Sequence, residues 1–249
     1  NGTNWVPADI EESASATQKA LFGFGYTESG YSNTTNLVSS SGVVATDTTG
    51  VGTGRGSPAA SGYGGDKAIF GFGSTAWNAY TNITNLVSNA GVVSTDQTGV
   101  GTSRRWPVGA SYDGDKAIFG FGDTNPNDMT STNITNLVSN TGVVSTDQTG
   151  VGTTRLAGAA VGYGGDKAIF AFGYNRPNSL SISNLVSNTG VVASDTTGVG
   201  TARSALAAAS YGSTGQALFG YGSSLAVGYW TVYEKKTNLV SNTGVVASD

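Results

Sequence analysis

Acidic and basic side chains recur along the chain at a fixed spacing. An Asp stands eight residues before an Arg four times, in the pairs Asp47 and Arg55, Asp96 and Arg104, Asp147 and Arg155, and Asp195 and Arg203. Acid–base catalysis by two carboxylates needs groups in different environments, whereas these pairs share one local sequence. The pattern therefore indicates turn capping by the Asp and a repeated ion pair at each junction between repeats.

The composition removes most of the chemistry that enzymes use. The 249 residues include no His and no Cys, so the chain lacks the commonest general base and any thiolate nucleophile. A Ser–His–Asp triad is impossible without His. We therefore expect that the protein is not an enzyme and that it has no catalytic residue.

Two further segments superficially look like ligand-binding loops. The linker GVGTGRG at 50–56 is glycine-rich, but a dinucleotide site needs a following helix, and this linker occurs four times before a strand. The segment from Asp123 to Asp128 begins with oxygen ligands at alternate positions, as a calcium loop does, but it lacks the central Gly and the closing Glu. We read the first as a structural turn and the second as a polar loop with Asx turns, so no cofactor and no metal are expected.

All these segments belong to one sequence unit that is repeated five times along the chain. Its most regular part reads GDKAIFGFG from Gly114 to Gly122, and its central aromatic recurs at steps of 48, 49, 51 and 49 residues, as Phe22, Phe70, Phe119, Phe170 and Phe219. A fixed period of this length is typical of stacked or circular repeat architectures. Within the segment the alternation predicts a strand with Ala68, Phe70 and Phe72 on one face.

Each unit contains four predicted strands, A to D. Strand A is small and apolar, strand B holds the Phe, strand C reads TNLVS or ITNLVS, and strand D reads GVVxxD. Four short strands per unit of about 50 residues predict an all-β, five-bladed β-propeller with four antiparallel strands per blade. The approximate blades of this single domain (1–249) are 1–49, 50–98, 99–149, 150–197 and 198–249. A β-solenoid is the alternative fold.

The propeller model makes two packing predictions. The small residues of strand A should crowd together at the centre, while the Phe of strand B and the Leu of strand C fill the space between blades. The two chain ends should be neighbours, so that the first and last blades meet without a covalent link.

Sequence variation is concentrated in the loops between strands B and C and in the residues after each linker Arg. Meander topology places both on one face of the molecule, and the closely repeated A–B and C–D turns on the other. Aromatic, Asn and Ser side chains on a rigid frame are typical of recognition surfaces and suit sugar rings; the alternative is drift or packing against neighbouring subunits. The candidate ligand- or partner-binding residues are Tyr26, Tyr31, Trp77, Asn78, Tyr80, Trp106, Asn125, Asp128, Tyr174, Arg176, Tyr229, Trp230 and Tyr233.

Charge and hydropathy restrict the partners. Twelve Lys and Arg against 16 Asp and Glu give a formal net charge of −4, which lacks the basic footprint of a nucleic-acid-binding protein. There is no apolar run long enough to cross a bilayer. We therefore expect no nucleic acid and no membrane insertion.

The unit resembles a Kelch repeat in its order of Arg, a small apolar strand, an aromatic strand ending in Gly, and strands C and D. It differs in carrying Phe-Gly-Phe-Gly in place of a Gly-Gly pair, and Val-Val in place of a Trp in strand D. The sequence segments KAIFGFG, TNLVSNTGVV and DTTGVGTxR also resemble tandem repeats in structural proteins of marine phages. These resemblances imply a structural or adhesive protein of a virion or another extracellular assembly, with other subunits or cell-surface glycans as partners. A soluble glycan-binding lectin is the alternative.

Overall fold

The computed structural model describes residues 20–225 and 231–249, and every regular element in these ranges is a β-strand. The first unit contributes β1 (Ala20–Thr27) and β2 (Gly30–Val38). The second contributes β3 (Ala59–Tyr63), β4 (Lys67–Gly71), β5 (Ser74–Ala76), β6 (Ala79–Tyr80) and β7 (Thr84–Val87). The third contributes β8 (Val108–Tyr112), β9 (Lys116–Gly120) and β10 (Thr135–Val138). The fourth contributes β11 (Ala159–Tyr163), β12 (Lys167–Asn175) and β13 (Asn178–Val186). The fifth contributes β14 (Ala207–Tyr211), β15 (Gln216–Gly220), β16 (Ser223–Leu225), β17 (Thr231–Tyr233) and β18 (Thr237–Val240).

The sheets confirm an all-β, antiparallel fold. Units 2 to 5 each form a three-stranded sheet in which strands A, B and C follow one another as a meander, and the described part of unit 1 pairs β1 with β2. Two short hairpins, β5 with β6 and β16 with β17, extend strands B and C into the loops that join them. Strand A of unit 1 falls outside the described residues.

The fourth predicted strand, D, does not form as a strand. The segment touches strand C only through isolated bridges, such as Val93 with Val87 and, just after the predicted strand, Gln97 with Thr84. Between these two bridges the amide of Asn85 donates to the carbonyl of Ser94 at 3.0 Å, and the same side chain also reaches Asp96 at 2.9 Å. A buried side chain thus takes part of the hydrogen bonding that a regular ladder would use.

The alternation predicted for strand B is wrong at its second aromatic. Phe24, Phe72, Phe121, Phe172 and Tyr221 all adopt a left-handed backbone, with φ between 60° and 63°. The resulting β-bulge turns the second ring to the other side of the sheet. Phe70 therefore packs on Phe24 of the preceding unit at 5.0 Å, while Phe72 packs on Phe119 of the following unit at 5.5 Å.

Successive units are joined along strand A, as its small residues predict. Just before strand A, a backbone hydrogen bond runs from Trp106 N to Ser57 O at 3.2 Å, and the series continues from Ala157 to Trp106 and from Ala205 to Ala157. A Cβ on Gly109 would lie 2.8 Å from the carbonyl oxygen of Ala60, so the adjacent strands leave no room for a side chain there. The predicted burial of strand B between units is confirmed, since Phe119 is fully buried.

The two ends of the array leave apolar faces exposed. Phe22 in unit 1 is 63% exposed and Tyr221 in unit 5 is 64% exposed, although their counterparts in the inner units are buried. A closed five-bladed ring would bring these two residues together and bury them. Because both are exposed, ring closure is not confirmed and stays a prediction. The expected meeting of the chain ends involves Asn1, which lies outside the described residues.

Candidate functional site

The predicted separation of variable loops from repeated turns is present in the structure. Bridges pair the residue after each linker Arg with the start of a B–C loop, as Arg105 with Asp123 and Leu156 with Tyr174. We call this side, with loops 26–34, 74–82, 123–133, 174–181 and 231–236, the variable face. On the other side, which we call the turn face, the C–D turns bond the A–B turns, as Asn140 Nδ2 does to Asp115 Oδ2 at 3.0 Å.

Three predicted site residues are strongly exposed on the variable face. Trp77 is 81% exposed at the turn between β5 and β6, beside the exposed Asn78, and Tyr233 on β17 is 83% exposed. Tyr26 is also exposed, and its ring packs edge-on against Tyr31 at 5.2 Å. The predicted residues Tyr229 and Trp230 lie outside the described part of the chain.

Tyr80 belongs to a bonded cluster between units 2 and 3. Its hydroxyl donates to Asp123 Oδ2 at 2.8 Å, and Arg105 Nε donates to the same oxygen at 3.1 Å. The guanidinium of Arg105 also lies over the rings of Tyr80, at 5.0 Å, and Trp106, at 3.9 Å. Burial raises the pKa of Tyr80, and the hydrogen bond to Asp123 adds to this effect. Tyr80 and Trp106 are therefore held in place, whereas Trp77 projects into solvent.

The loop from Asp123 to Asp128 uses its oxygens on its own backbone. Asn125 N donates to Asp123 Oδ1 at 3.1 Å, and Asn127 N donates to Asn125 Oδ1 at 3.0 Å. These are the Asx turns that the sequence indicated. The exposed Asp128 reaches Arg176 of the next unit at 3.8 Å. Within the described ranges, no three His, Cys, Asp or Glu residues come together as a metal site.

A groove of about 410 Å³ crosses the variable face between units 3, 4 and 5. Trp106 and Tyr174 line it, together with Met129, Leu156 and Ser179. The hydroxyl of Ser179 is buried there and has no hydrogen-bond partner among the described residues. Sequence reasoning selected Trp106 and Tyr174 but missed the other three, because no local signal shows that side chains from successive units share one groove.

A buried cluster, which we call the latch, closes each of units 2 to 5. In unit 3, Arg104 donates from Nε to the carbonyl of Phe121 at 2.9 Å and from Nη2 to Asn136 Oδ1 at 2.6 Å. Asp147 accepts from both the amide and the hydroxyl of Thr102, at 3.0 and 2.6 Å. The corresponding Arg, Asn, Asp and Thr residues are Arg55, Asn85, Asp96 and Thr53; Arg155, Asn184, Asp195 and Thr153; and Arg203, Asn238, Asp249 and Thr201. In unit 2 the Arg–Asn hydrogen bond is missing, since Arg55 Nη2 and Asn85 Oδ1 have no partner among the described residues.

In the latch, the Asp and Arg residues pair differently from the sequence-based prediction. Arg104 lies 4.0 Å from Asp147, at the end of its own unit, and the predicted partner Asp96 instead approaches Arg55 at 3.9 Å. The Asp carboxylates also cap a distant Thr rather than their own turn. The reason is that the segment after strand C carries the Asp back to the beginning of its unit. The glycine-rich linker thus presents its backbone amide to a carboxylate of the protein.

Both sides of the latch stay charged at neutral pH, although burial opposes the charge on each. Burial lowers the pKa of Arg55, Arg104 and Arg155 to about 10, against the opposing effect of the nearby Asp. For Asp147, burial alone would raise the pKa, but hydrogen bonds from Thr102 and Asn136 and the charge of Arg104 outweigh it, so the pKa is lowered. These groups therefore stabilise the frame and are poor candidates for proton transfer.

The latch makes the protein sensitive to acid. The same opposing effects lower the pKa of Asp249 to about 2, whereas an unfolded Asp titrates near 3.9. Because the folded pKa is depressed, the stabilisation is complete above about pH 4 and is lost as the pH falls towards 2. We expect the melting temperature to drop steeply across this window. In Asp147→Asn, which cannot titrate, the deficit relative to wild type should shrink from pH 7 to pH 2; an equal deficit at both would contradict this assignment.

Comparison with known proteins adds no family. No protein-family model matches the sequence, and no curated protein matches it either. The resemblance to Kelch repeats and to phage structural proteins therefore rests on the sequence pattern alone. A search of the described ranges for a helix long and apolar enough to cross a membrane finds none.

Proposed function

We propose that this chain is a non-catalytic structural or adhesive module of a virion or another extracellular assembly, and that its variable face binds other subunits or a cell-surface glycan. The observation that carries the proposal is the contrast between the two faces. Trp77, Tyr233 and Tyr26 are exposed on the variable face, while the turn face repeats the same short turns from unit to unit. Large aromatics on loops above a rigid frame are the usual anchors of a recognition surface.

The frame below the loops supports this role. Latches hold units 2 to 5, aromatic junctions join neighbouring units, and the loops also bond across units, as Ser131 Oγ does to Asn175 Oδ1 at 3.2 Å. Loops held in this way lose little conformational entropy when they bind a partner. The absence of His and Cys and the net charge of −4 support a partner that is neither an enzyme substrate nor a nucleic acid.

We further propose that the units are blades of a Kelch-like propeller. The meander order of strands A, B and C and the side-by-side strands A support this arrangement. Closure of the five blades into one ring requires Phe22 to meet Tyr221 of the same chain. Ring closure within one chain predicts a protein that stays monomeric at every concentration.

A soluble glycan-binding lectin is the second candidate, and the groove favours it. Trp106 and Tyr174 line the groove with aromatic surface that suits the apolar side of a sugar, and Ser179 has a hydroxyl without a partner in the described residues. A lectin should purify as a discrete monomer or small oligomer and bind a glycan array through this groove. A component of an assembly should instead co-sediment with large particles.

The loop aromatics provide the test of the proposed function. Replacing Trp77 and Trp230 by Ala should abolish association with the glycan array or with the assembly, because large aromatics dominate binding energy. Thermal unfolding should change little, since an exposed side chain such as Trp77 contributes little to the core.

Asn140→Ala on the turn face is the matched control. It removes the hydrogen bond to Asp115, so it should lower stability slightly and leave binding intact. Normal binding by the Trp variant together with lost binding by Asn140→Ala would show that the turn face is the working surface, and the proposal would be wrong.

A further inference from the structure

Every junction between neighbouring units uses the same pair of unlike faces. The leading face of a unit presents the first ring of strand B, and the trailing face of the unit before it presents the second, bulged ring. The rings meet edge to face at 5.0 to 5.5 Å, in the pairs Phe24 and Phe70, Phe72 and Phe119, Phe121 and Phe170, and Phe172 and Phe219. The four junctions are therefore copies of one interface.

A second contact repeats on the turn face of each junction. A Cβ built on Gly244, in the leading face of unit 5, would lie 2.9 Å from Leu185 and 2.9 Å from Tyr163 of unit 4. Gly142 and Gly190 meet the Leu and Tyr of the preceding unit in the same way. Glycine, with φ near +80°, is thus the residue that lets the next unit's turn approach.

Both ends of the array present unused halves of this interface. In unit 5, the trailing face exposes Tyr221 together with Leu239 (51%) and Tyr211 (41%). In unit 1, the leading face exposes Phe22, and a Cβ on Gly42 would meet no described residue within 4 Å. Repeat arrays that remain single usually carry polar residues on their terminal faces, and these two ends carry apolar ones.

We propose that the trailing face of unit 5 binds the leading face of unit 1 of a second copy of this chain, so that chains associate head to tail. Tyr221 would then pack on Phe22 of the next chain as Phe172 packs on Phe219, and Leu239 would lie on Gly42. The same backbone hydrogen bonds repeat from unit to unit, and among the described residues Phe22 and Tyr221 at the two ends of the array are exposed. A further copy that repeats the same contacts covers them.

The interface is heterologous, because two different surfaces meet. Such contacts generate either a ring of several chains or an open filament. The proposal does not depend on the function of the variable face, which lies on the side of the array and stays accessible in every copy.

Two acidic substitutions test the proposal, with association measured by light scattering and sedimentation over a wide range of concentrations. The wild-type chain should grow in mass with concentration, and Phe22→Asp and Tyr221→Asp should each be monomeric. An equimolar mixture of the two variants should form a 1:1 dimer, because each retains the face that the other has lost. Val143→Asp, at an exposed Val in the turn of an inner unit, should associate as wild type does.

Three results would overturn the proposal. A wild-type chain that is monomeric at every concentration would indicate ring closure within one chain or faces that bind nothing. Self-association retained by Phe22→Asp would indicate an interface between two like faces, and a mixture that fails to dimerise would exclude the pairing of Phe22 with Tyr221. Melting temperatures close to wild type for all three variants show that the changes act on association.

Discussion

Replacement of Arg104 by Ala is expected to cost about 3–5 kcal/mol of unfolding free energy, as the loss of one partner from a buried charged pair does. Arg104 is fully buried, and its removal leaves Asn136 Oδ1 and the carbonyl oxygens of Phe121 and Thr102 without their donors. It also removes the guanidinium that stacks 3.8 Å above the ring of Phe72. Urea titration followed by tryptophan fluorescence or circular dichroism measures the loss.

Arg176→Ala is the matched control for that experiment. Arg176 is exposed and lies 3.8 Å from Asp128, which is also exposed, and surface ion pairs of this kind contribute about 0–1 kcal/mol. Arg104→Lys should fall between the two, because Lys keeps the charge but cannot reproduce the planar fork of donors. Equal losses for Arg104→Ala and Arg176→Ala would mean that the latch does not hold the unit together.

Phe119→Ala should cost about 3–5 kcal/mol, as deletions of a large buried aromatic usually do. Phe119 is fully buried and packs edge-on against Phe72 of the neighbouring unit at 5.5 Å, so its removal opens a cavity at a junction. Denaturant titration of a dilute sample provides the measurement.

The repeat supplies an internal control at Phe22. Phe22 occupies the same position of its unit but is mostly exposed at the end of the array, so Phe22→Ala should change the stability of the monomer by no more than about 0.5 kcal/mol. A near-zero loss for Phe119→Ala, or similar losses for both variants, would show that the junction is not a packed core.

The repeated features of the fold could be predicted from the sequence. The period of the Phe residues identified five units, and the patterns of strands A, B and C were sufficient to place three strands in each inner unit. The separation of the variable face from the turn face followed from meander topology. These features depend on local hydrophobic patterning and turn chemistry, which a single sequence carries.

The features that sequence reasoning missed depend on contacts between distant residues. The alternating pattern predicted that Phe72 lies on the same face of strand B as Phe70, because nothing local signals a left-handed backbone at a Phe. The eight-residue spacing predicted that Asp96 pairs with Arg104, whereas the path of the chain brings Asp147 close to Arg104. Strand D had the composition of a strand, but Asn85 takes part of its hydrogen bonding.

The candidate site was predicted as a face rather than as a set of contacts. Trp77 and Tyr233 are exposed there as expected of anchors, while Tyr80 is bonded to Asp123 within the frame. The groove at Trp106 and Tyr174 needs side chains from three units. Only the three-dimensional arrangement shows that these residues are neighbours.

Hydrogen–deuterium exchange with and without the bound partner shows which face of the protein is the recognition surface. The partner is the glycan or assembly subunit identified by the array and co-sedimentation experiments. We expect slower exchange in loops 74–82, 123–133 and 174–181, with unchanged exchange in turns 64–66, 113–115 and 164–166. Slower exchange in those turns, with unchanged loops, would contradict the proposed role of the variable face.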